Sequence, residues 1–106
     1  MTDTLARLEA TILSRREADA DGSYVAKLFA RGRPIQARKL GEEAVELVVA
    51  SLAQDHAAIT AESADLLFHL MVLLADAGIP FADVLAELER REGTSGLVEK
   101  AARPKE

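Results

Sequence analysis

The sequence contains no cysteine and no tryptophan, and its aromatic side chains are one tyrosine and three phenylalanines. The lack of cysteine excludes a disulfide scaffold, a thiol nucleophile and a thiolate metal site, and two histidines offer little for a zinc centre. Because aromatic residues are scarce while hydrophobic residues make up 49% of the chain, leucine, alanine and valine must fill the core. Such a core is typical of packed helices.

A chain of 106 residues is expected to form a single domain over residues 1–106. Its net charge of −5 argues against a nucleic acid or an anionic membrane surface as partner. The longest apolar run, Leu70 to Ala75, is too short to span a bilayer, and early charged residues interrupt any signal-peptide pattern. We therefore expect a cytoplasmic protein without a membrane partner.

Apolar spacing and helix-ending residues predict five helices and no strand, so the expected fold class is all-α. The predicted bounds, set by capping residues, glycines and prolines, are Thr2 or Asp3 to about Glu17, Ser23 to Gly32, Pro34 to about Ala53, about His56 to Asp76, and about Phe81 to Arg91. A break at Gly93 to Gly96 and a charged tail from Leu97 to Glu106 follow.

The third and fourth predicted helices are apolar around most of their circumference, which predicts that both are buried nearly all round. Each keeps one narrow polar stripe. The stripe residues are Lys39, Glu42, Glu43 and Glu46 on the third helix, and Glu62, Asp65, His69 and Asp76 on the fourth. A solvated face, the common explanation of acidic residues on a helix, should be broader and mix lysine with glutamate, whereas these stripes are mostly of one charge.

The two acidic stripes are predicted to face each other, because a short connection near Asp55 makes the two helices antiparallel. Glu46 precedes that connection by about as many residues as Glu62 and Asp65 follow it, so their heights match at about 1.5 Å per residue. Clustered oxygen ligands favour a hard cation, Mg²⁺ or Mn²⁺, bound together with substrate phosphates. A ferritin-like di-iron site is disfavoured because neither histidine follows a glutamate by three residues.

His69 follows Asp65 by four residues, and the sequence allows it two roles. It can orient the Asp65 carboxylate from beside the metal. It can also be a histidine whose ring nitrogens are satisfied by the protein or by solvent.

Several stretches of the sequence resemble one family of enzymes. The pattern Glu42-Glu43-x-x-Glu46, followed by Glu62-x-x-Asp65, is similar to the signature of the all-α nucleoside-triphosphate pyrophosphohydrolases, the MazG-like superfamily. The surrounding segments 23–29, 39–46, 64–70 and 89–96 read SYVAKLF, KLGEEAVE, ADLLFHL and ERREGTSG. Together they resemble the phosphoribosyl-ATP pyrophosphatase family of histidine biosynthesis over nearly the whole chain.

This resemblance implies hydrolysis of phosphoribosyl-ATP to phosphoribosyl-AMP and pyrophosphate by a Mg²⁺-dependent homodimer of helical bundles. In such chemistry water attacks the α-phosphorus while pyrophosphate leaves, and cations neutralise the developing charge. The expected metal ligands are Glu43, Glu46, Glu62 and Asp65. Glu42 either shares the metal or polarises the water, and the choice between Glu42 and Glu43 stays open because both can pair with Glu46.

Basic residues near the acidic stripes are candidates for binding phosphate. Lys39 lies one turn before Glu43 and can contact phosphate oxygens or balance the carboxylates. The other candidates are Lys27, Arg31, Arg33, Arg90 and Arg91. An ordinary solvated role is the alternative for the first three, and neutralisation of a helix C-terminus is the alternative for the last two.

Two other functions are compatible with these features. A house-cleaning pyrophosphohydrolase would use the same metal site on aberrant nucleotides, and a helical dimerisation module would have no activity. Acidic stripes argue against the module, because self-association prefers apolar or charge-alternating seams. Segments 23–29 and 90–96 favour histidine biosynthesis over house-cleaning.

A homodimer is also expected from the amount of apolar surface. The first, second and fifth helices are too short to cover the two apolar helices completely, and a two-fold interface with a second copy can bury the remainder. The predicted contacts lie on the fourth and fifth helices, with Phe68, Met71, Leu85 and Leu88 as candidates.

Overall fold

The computed structural model describes residues 2–93 and 100, so most of the predicted tail from Leu97 to Glu106 lies outside the described residues. The helices are α1 Thr2–Ser14, α2 Tyr24–Arg31, α3 Arg33–Ala53, α4 His56–Ala77 and α5 Phe81–Arg90. Residues 2–93 contain no strand, and the all-α prediction is confirmed.

Local capping determines the bounds of α2. The Ser23 hydroxyl accepts a hydrogen bond from the Ala26 N–H at 3.2 Å, as expected of an N-cap serine. Gly32 ends the helix with a φ of 89°, and its N–H donates to the carbonyls of Leu28 and Phe29. Since L side chains rarely adopt this φ, glycine is favoured at the junction between α2 and α3.

The first helix is shorter than predicted and ends at Ser14 instead of about Glu17. After Ser14 the backbone hydrogen bonds change from a four-residue to a three-residue separation. The Arg15 N–H is shared between the carbonyls of Thr11 and Ile12, and the Arg16 N–H donates to the Leu13 carbonyl. Such i-to-i−3 bonds tighten the final turn of a helix. The segment that follows continues as turns.

Gln54 and Asp55 connect α3 to α4. Gln54 adopts the left-handed conformation, with φ 59° and ψ 31°, and the Asp55 carboxylate accepts from the Ala58 N–H at 3.1 Å. Arg33, at the start of α3, contacts Asp76, near the end of α4, at 2.7 Å. The two helices are therefore antiparallel, as predicted.

The hydrophobic core lies between α1, α2 and α4, which contribute the buried residues Ile12, Val25, Leu28, Met71, Val72 and Ala75. Phe29, Phe68 and Phe81 are partly buried against this cluster. Because Met71 is only 2% exposed within one chain, its predicted place in a dimer contact is wrong: that side of α4 faces α1 and α2.

The prediction that both middle helices are buried nearly all round is wrong: α4 buries only His69, Met71, Val72 and Ala75, and α3 leaves one side exposed. Val45, Val48, Val49 and Leu52 are between 55% and 79% exposed, and we refer to these four residues as the α3 apolar face. They occupy positions i, i+3, i+4 and i+7, which is one side of a helix. The side is exposed because α1 packs on α4 and α2 contacts the two long helices elsewhere.

By length and composition alone, α4 is long and apolar enough to cross a membrane. The core helix of a soluble protein meets the same two criteria, so the feature is weak evidence for a membrane span. Met71, Val72 and Ala75 of α4 are buried against other helices of the chain, whereas most of its other residues are partly buried or exposed.

Candidate metal centre

Three carboxylates meet between the antiparallel helices α3 and α4. Glu43 comes from α3, and Glu62 and Asp65 come from adjacent turns of α4. One oxygen from each carboxylate lies within 4.8 Å of the oxygens from the other two. The predicted convergence of the two acidic stripes is therefore present at these three residues, which we call the carboxylate cluster.

Glu46, the fourth predicted ligand, lies beside the carboxylate cluster. It lies close enough to Glu43 of α3 and Glu62 of α4 for its negative charge to raise the pKa of both carboxyl groups. The three oxygens that lie within 4.8 Å of one another do not include one from Glu46, so its role as a fourth ligand stays a prediction.

The cluster raises the pKa values of its own members. Burial, followed by the hydrogen bond and the negative charge of Glu46, raises the pKa of Glu43 from 4.5 to about 7. Burial and the charge of Glu46 likewise raise the pKa of Glu62. Negative charges are thus held closer together than carboxylates tolerate without compensation.

One oxygen of Glu43, Oε2, is buried and has no hydrogen-bond partner among the described residues. A buried carboxylate oxygen without a donor is costly, and so is a group of like charges. A hard cation removes both costs, and carboxylate oxygens are the ligands that Mg²⁺ and Mn²⁺ prefer. The donor set therefore fits a divalent cation.

Glu42 lies outside the carboxylate cluster. Its carboxylate is 3.6 Å from Arg38 Nε and 3.6 Å from Lys39 Nζ, along the exposed side of α3. The structure thus places Glu43 among the acidic groups and Glu42 among basic groups. Lys39 also lies one turn from Glu43, so it is the predicted phosphate ligand nearest in sequence to the cluster.

The remaining basic candidates differ in their surroundings. Lys27 and Arg31 of α2 are exposed and make no ion pair within the described part of the chain. Arg33 instead forms an ion pair with Asp76. Asp76, which was predicted as part of the acidic stripe on α4, is thus the partner of a basic residue. A phosphate-binding role for Lys27, Arg31 or Arg33 stays a prediction.

The two basic residues at the end of α5 converge on one carboxylate. Arg90 contacts Glu87 through Nε at 3.0 Å and through a terminal nitrogen at 2.7 Å, and Arg91 Nε contacts it at 2.9 Å. These bonds hold the pKa of Glu87 far below its usual value. The predicted substrate contact of Arg91 also stays a prediction.

His69 is 6% exposed, and both of its ring nitrogens have protein partners. Nδ1 lies 2.9 Å from the backbone carbonyl oxygen of Asp65, and Nε2 lies 2.9 Å from the Tyr24 hydroxyl. Of the two predicted roles, the geometry matches the satisfied histidine, because its partner on Asp65 is the backbone and not the carboxylate. The contact with Tyr24 was not predicted, since 45 residues separate the pair.

An open groove of about 450 Å³ borders the cluster between α3 and α4. Its lining residues are Val45, Glu46, Val49, Ala50, Ala58 and Glu62. The groove thus joins two of the acidic side chains to two valines of the α3 apolar face. Sequence periodicity could not identify it, because it depends on which apolar residues remain uncovered.

Residues 5–92 match the family model described as phosphoribosyl-ATP pyrophosphohydrolase. A phosphoribosyl-ATP pyrophosphatase of Rhizorhabdus wittichii is 70% identical over 105 residues, which cover 99% of each protein. Proteins of the same name are 59% identical in Novosphingobium aromaticivorans, over 95% of this chain and 94% of the relative, and 57% identical in Zymomonas mobilis, over 97% and 96%.

Proposed function

The chain belongs to the phosphoribosyl-ATP pyrophosphohydrolase family, and from this premise we propose that it hydrolyses phosphoribosyl-ATP to phosphoribosyl-AMP and pyrophosphate in histidine biosynthesis. The family match favours this reaction over the house-cleaning alternative, and an enzyme function over a dimerisation module. A single catalytic domain over residues 1–106 and a cytoplasmic location are parts of the same proposal.

The observation that carries the proposal is the carboxylate cluster of Glu43, Glu62 and Asp65, with the buried, unpartnered Oε2 of Glu43. We assign these three residues and Glu46 as the ligands of Mg²⁺, for which Mn²⁺ is a chemically similar substitute. When bound, the cation neutralises charge on the phosphates and aligns nucleophile with leaving group.

The chain's own residues supply the remaining functions. Lys39, Lys27 and Arg31 are assigned to phosphate oxygens, with Arg91 as a further candidate. With Glu43 assigned to the metal, the carboxylate of Glu42 accepts a proton from the attacking water as the new bond to the α-phosphorus forms. The bond from that phosphorus to the bridging oxygen breaks, and the electron pair leaves with pyrophosphate.

The working form is proposed to be a homodimer joined through the α3 apolar face. Four large apolar side chains on one side of a helix are a suitable seam for a second helix. Two of them, Val45 and Val49, also line the groove beside Glu46 and Glu62, so a second copy packed there would close the groove over the cluster. The predicted contacts at Phe68, Leu85 and Leu88 on α4 and α5 stay a prediction and offer an alternative seam.

The substrate assignment is tested by measuring pyrophosphate release from phosphoribosyl-ATP, from the four canonical nucleoside triphosphates and from oxidised or deaminated triphosphates. We expect phosphoribosyl-ATP to have the highest kcat/KM of the panel. A higher kcat/KM on a damaged triphosphate would identify a house-cleaning enzyme, and no turnover on any member would favour a binding module.

A further inference from the structure

Tyr24 is the exposed aromatic residue among residues 2–93. It is 49% exposed, whereas Phe29, Phe68 and Phe81 pack against the core. Its ring nevertheless has a fixed position, because it stacks on Phe68 at a centroid separation of 6.0 Å and an interplanar angle of 20°, and meets the His69 ring edge-on. A rigid aromatic ring loses little conformational entropy when it binds another flat surface.

Hydrogen bonds connect this ring to the backbone of Asp65, one of the residues whose side chains form the carboxylate cluster. The Asp65 carbonyl can only accept, so His69 Nδ1 must carry the proton of their 2.9 Å bond. In the neutral imidazole Nε2 is then an acceptor, and the Tyr24 hydroxyl donates to it at 2.9 Å. His69 lies one helical turn beyond Asp65, so Tyr24 is held about one turn of α4 from an assigned metal ligand.

We propose that the exposed ring of Tyr24 stacks on the purine of the substrate. This inference rests on the proposed function, in which the substrate is a nucleotide whose phosphates lie at the carboxylate cluster. The base of a bound nucleotide extends away from its phosphates, and Tyr24 presents an aromatic surface about one turn of α4 from Asp65. The contacts with Phe68 and His69 orient the ring, and the Tyr24 hydroxyl is already hydrogen-bonded to His69.

Binding measurements with Tyr24→Leu and Tyr24→Phe test the proposal. Leucine removes the aromatic ring, while phenylalanine keeps it and removes only the hydroxyl. We expect calorimetry to give an AMP affinity about 10-fold lower in Tyr24→Leu, because stacking of a base on an aromatic side chain contributes on this scale. Ribose 5-phosphate, which has no base, should bind all three proteins equally.

Turnover gives a second readout. Tyr24→Leu should raise the KM for phosphoribosyl-ATP about 10-fold and leave kcat within about 2-fold, and Tyr24→Phe should stay within about 3-fold of wild type in both. The Mg²⁺ concentration for half-maximal activity and the mass in solution should not change. If wild type lacks turnover on phosphoribosyl-ATP, the proposed function fails while the AMP measurement still tests the stacking.

Several outcomes would overturn the stacking. Wild-type AMP affinity in Tyr24→Leu, or no detectable AMP binding by wild type, removes the purine contact. Equal losses for AMP and ribose 5-phosphate, or equal losses in the phenylalanine and leucine variants, indicate a general or hydroxyl-dependent effect. A change confined to kcat, metal requirement or oligomeric state assigns Tyr24 to positioning or to the dimer interface.

Discussion

Arg33 and Asp76 are separated by 43 residues and joined by an ion pair, with Arg33 Nε 2.7 Å from Asp76 Oδ2. The pair links the first turn of α3 to the last turns of α4. It therefore helps to fix the alignment of the two helices that carry the carboxylate cluster. The hydrogen bond from Arg33 lowers the pKa of Asp76 below its ordinary value of 3.8.

Removing this pair is predicted to lower stability in a pH-dependent way. A carboxyl group with a lowered folded-state pKa stabilises the protein fully above its unfolded-state pKa, and this contribution is lost as the pH falls through the folded-state value. Since Arg33 is half exposed, Asp76→Asn should cost no more than about 1 kcal/mol at neutral pH, or a few degrees in Tm. The difference from wild type should shrink at about pH 3, which a thermal melt at both pH values measures.

Arg33→Ala distinguishes the ion pair from a phosphate contact. If Arg33 acts only through Asp76, both variants should lower Tm similarly and leave the KM for phosphoribosyl-ATP unchanged. A KM that rises in Arg33→Ala but not in Asp76→Asn would assign the arginine to the substrate.

Glu43→Gln is predicted to stabilise the metal-free protein at alkaline pH. In wild type the pKa of the Glu43 carboxyl group is about 7, above its ordinary value of 4.5. Ionisation of this group in the folded state therefore has a free-energy cost, which is absent below pH 4.5 and complete above pH 7. Glutamine removes that cost, and Tm at about pH 8 should rise by roughly 4 °C or more. In excess Mg²⁺ wild type should have the higher Tm of the two proteins, because only wild type gains the full free energy of Mg²⁺ binding.

The control for this experiment is Glu42→Gln, which removes a carboxylate from the same helix but outside the cluster. It should not raise Tm at alkaline pH. An equal rise in both variants, or a rise in Glu43→Gln that persists at acid pH, would contradict the assignment of strain to the cluster.

Measurements of kcat should distinguish the assigned metal ligands from other acidic residues. Glu46→Gln and Asp65→Asn are each expected to lower kcat by about two orders of magnitude or more, on the scale of lost electrostatic stabilisation in an active site. The exposed Glu17 makes a matched control, and Glu17→Gln should keep wild-type kcat. Circular dichroism should show unchanged helicity in all three. Wild-type kcat in the Glu46 and Asp65 variants would remove these residues from the site.

The dimer proposal predicts a mass of about twice 11.4 kDa by light scattering at micromolar concentration. Val49→Glu should shift the mass towards that of one chain, because two copies of a buried, unpaired charge would meet at the two-fold interface. Leu88 of α5 is similarly exposed, at 54%, and Leu88→Glu should leave the dimer intact. A monomer produced by Leu88→Glu but not by Val49→Glu would return the interface to α5.

Local signals in the sequence were sufficient to predict the helices and the acidic residues of the site. The ends of α2 and α4 are marked by Ser23, Gly32 and Gly78. The three-residue spacing of Glu62 and Asp65 puts both carboxylates on one side of α4, whichever helices pack around it. These features depend on residues within a few positions of one another, which a reading of the sequence can evaluate.

Relationships between distant residues could not be predicted in the same way. The contacts of Arg33 with Asp76 and of Tyr24 with His69 each span more than 40 residues, so they depend on how the helices pack. Helical periodicity also fails where a helix is apolar on nearly every side. It could not indicate that Met71 faces the core while Val49 is left exposed.

The most direct test of the central claim is the rate of pyrophosphate release from phosphoribosyl-ATP as Mg²⁺ is titrated into metal-free protein. The carboxylate cluster predicts negligible release without the cation, a saturable increase with it, and loss of that increase in Asp65→Asn. Pyrophosphate, and not orthophosphate, should be the first product, because the attack is at the α-phosphorus. Full turnover in excess EDTA, or orthophosphate as the first product, would contradict the metal-dependent hydrolysis assigned to this site.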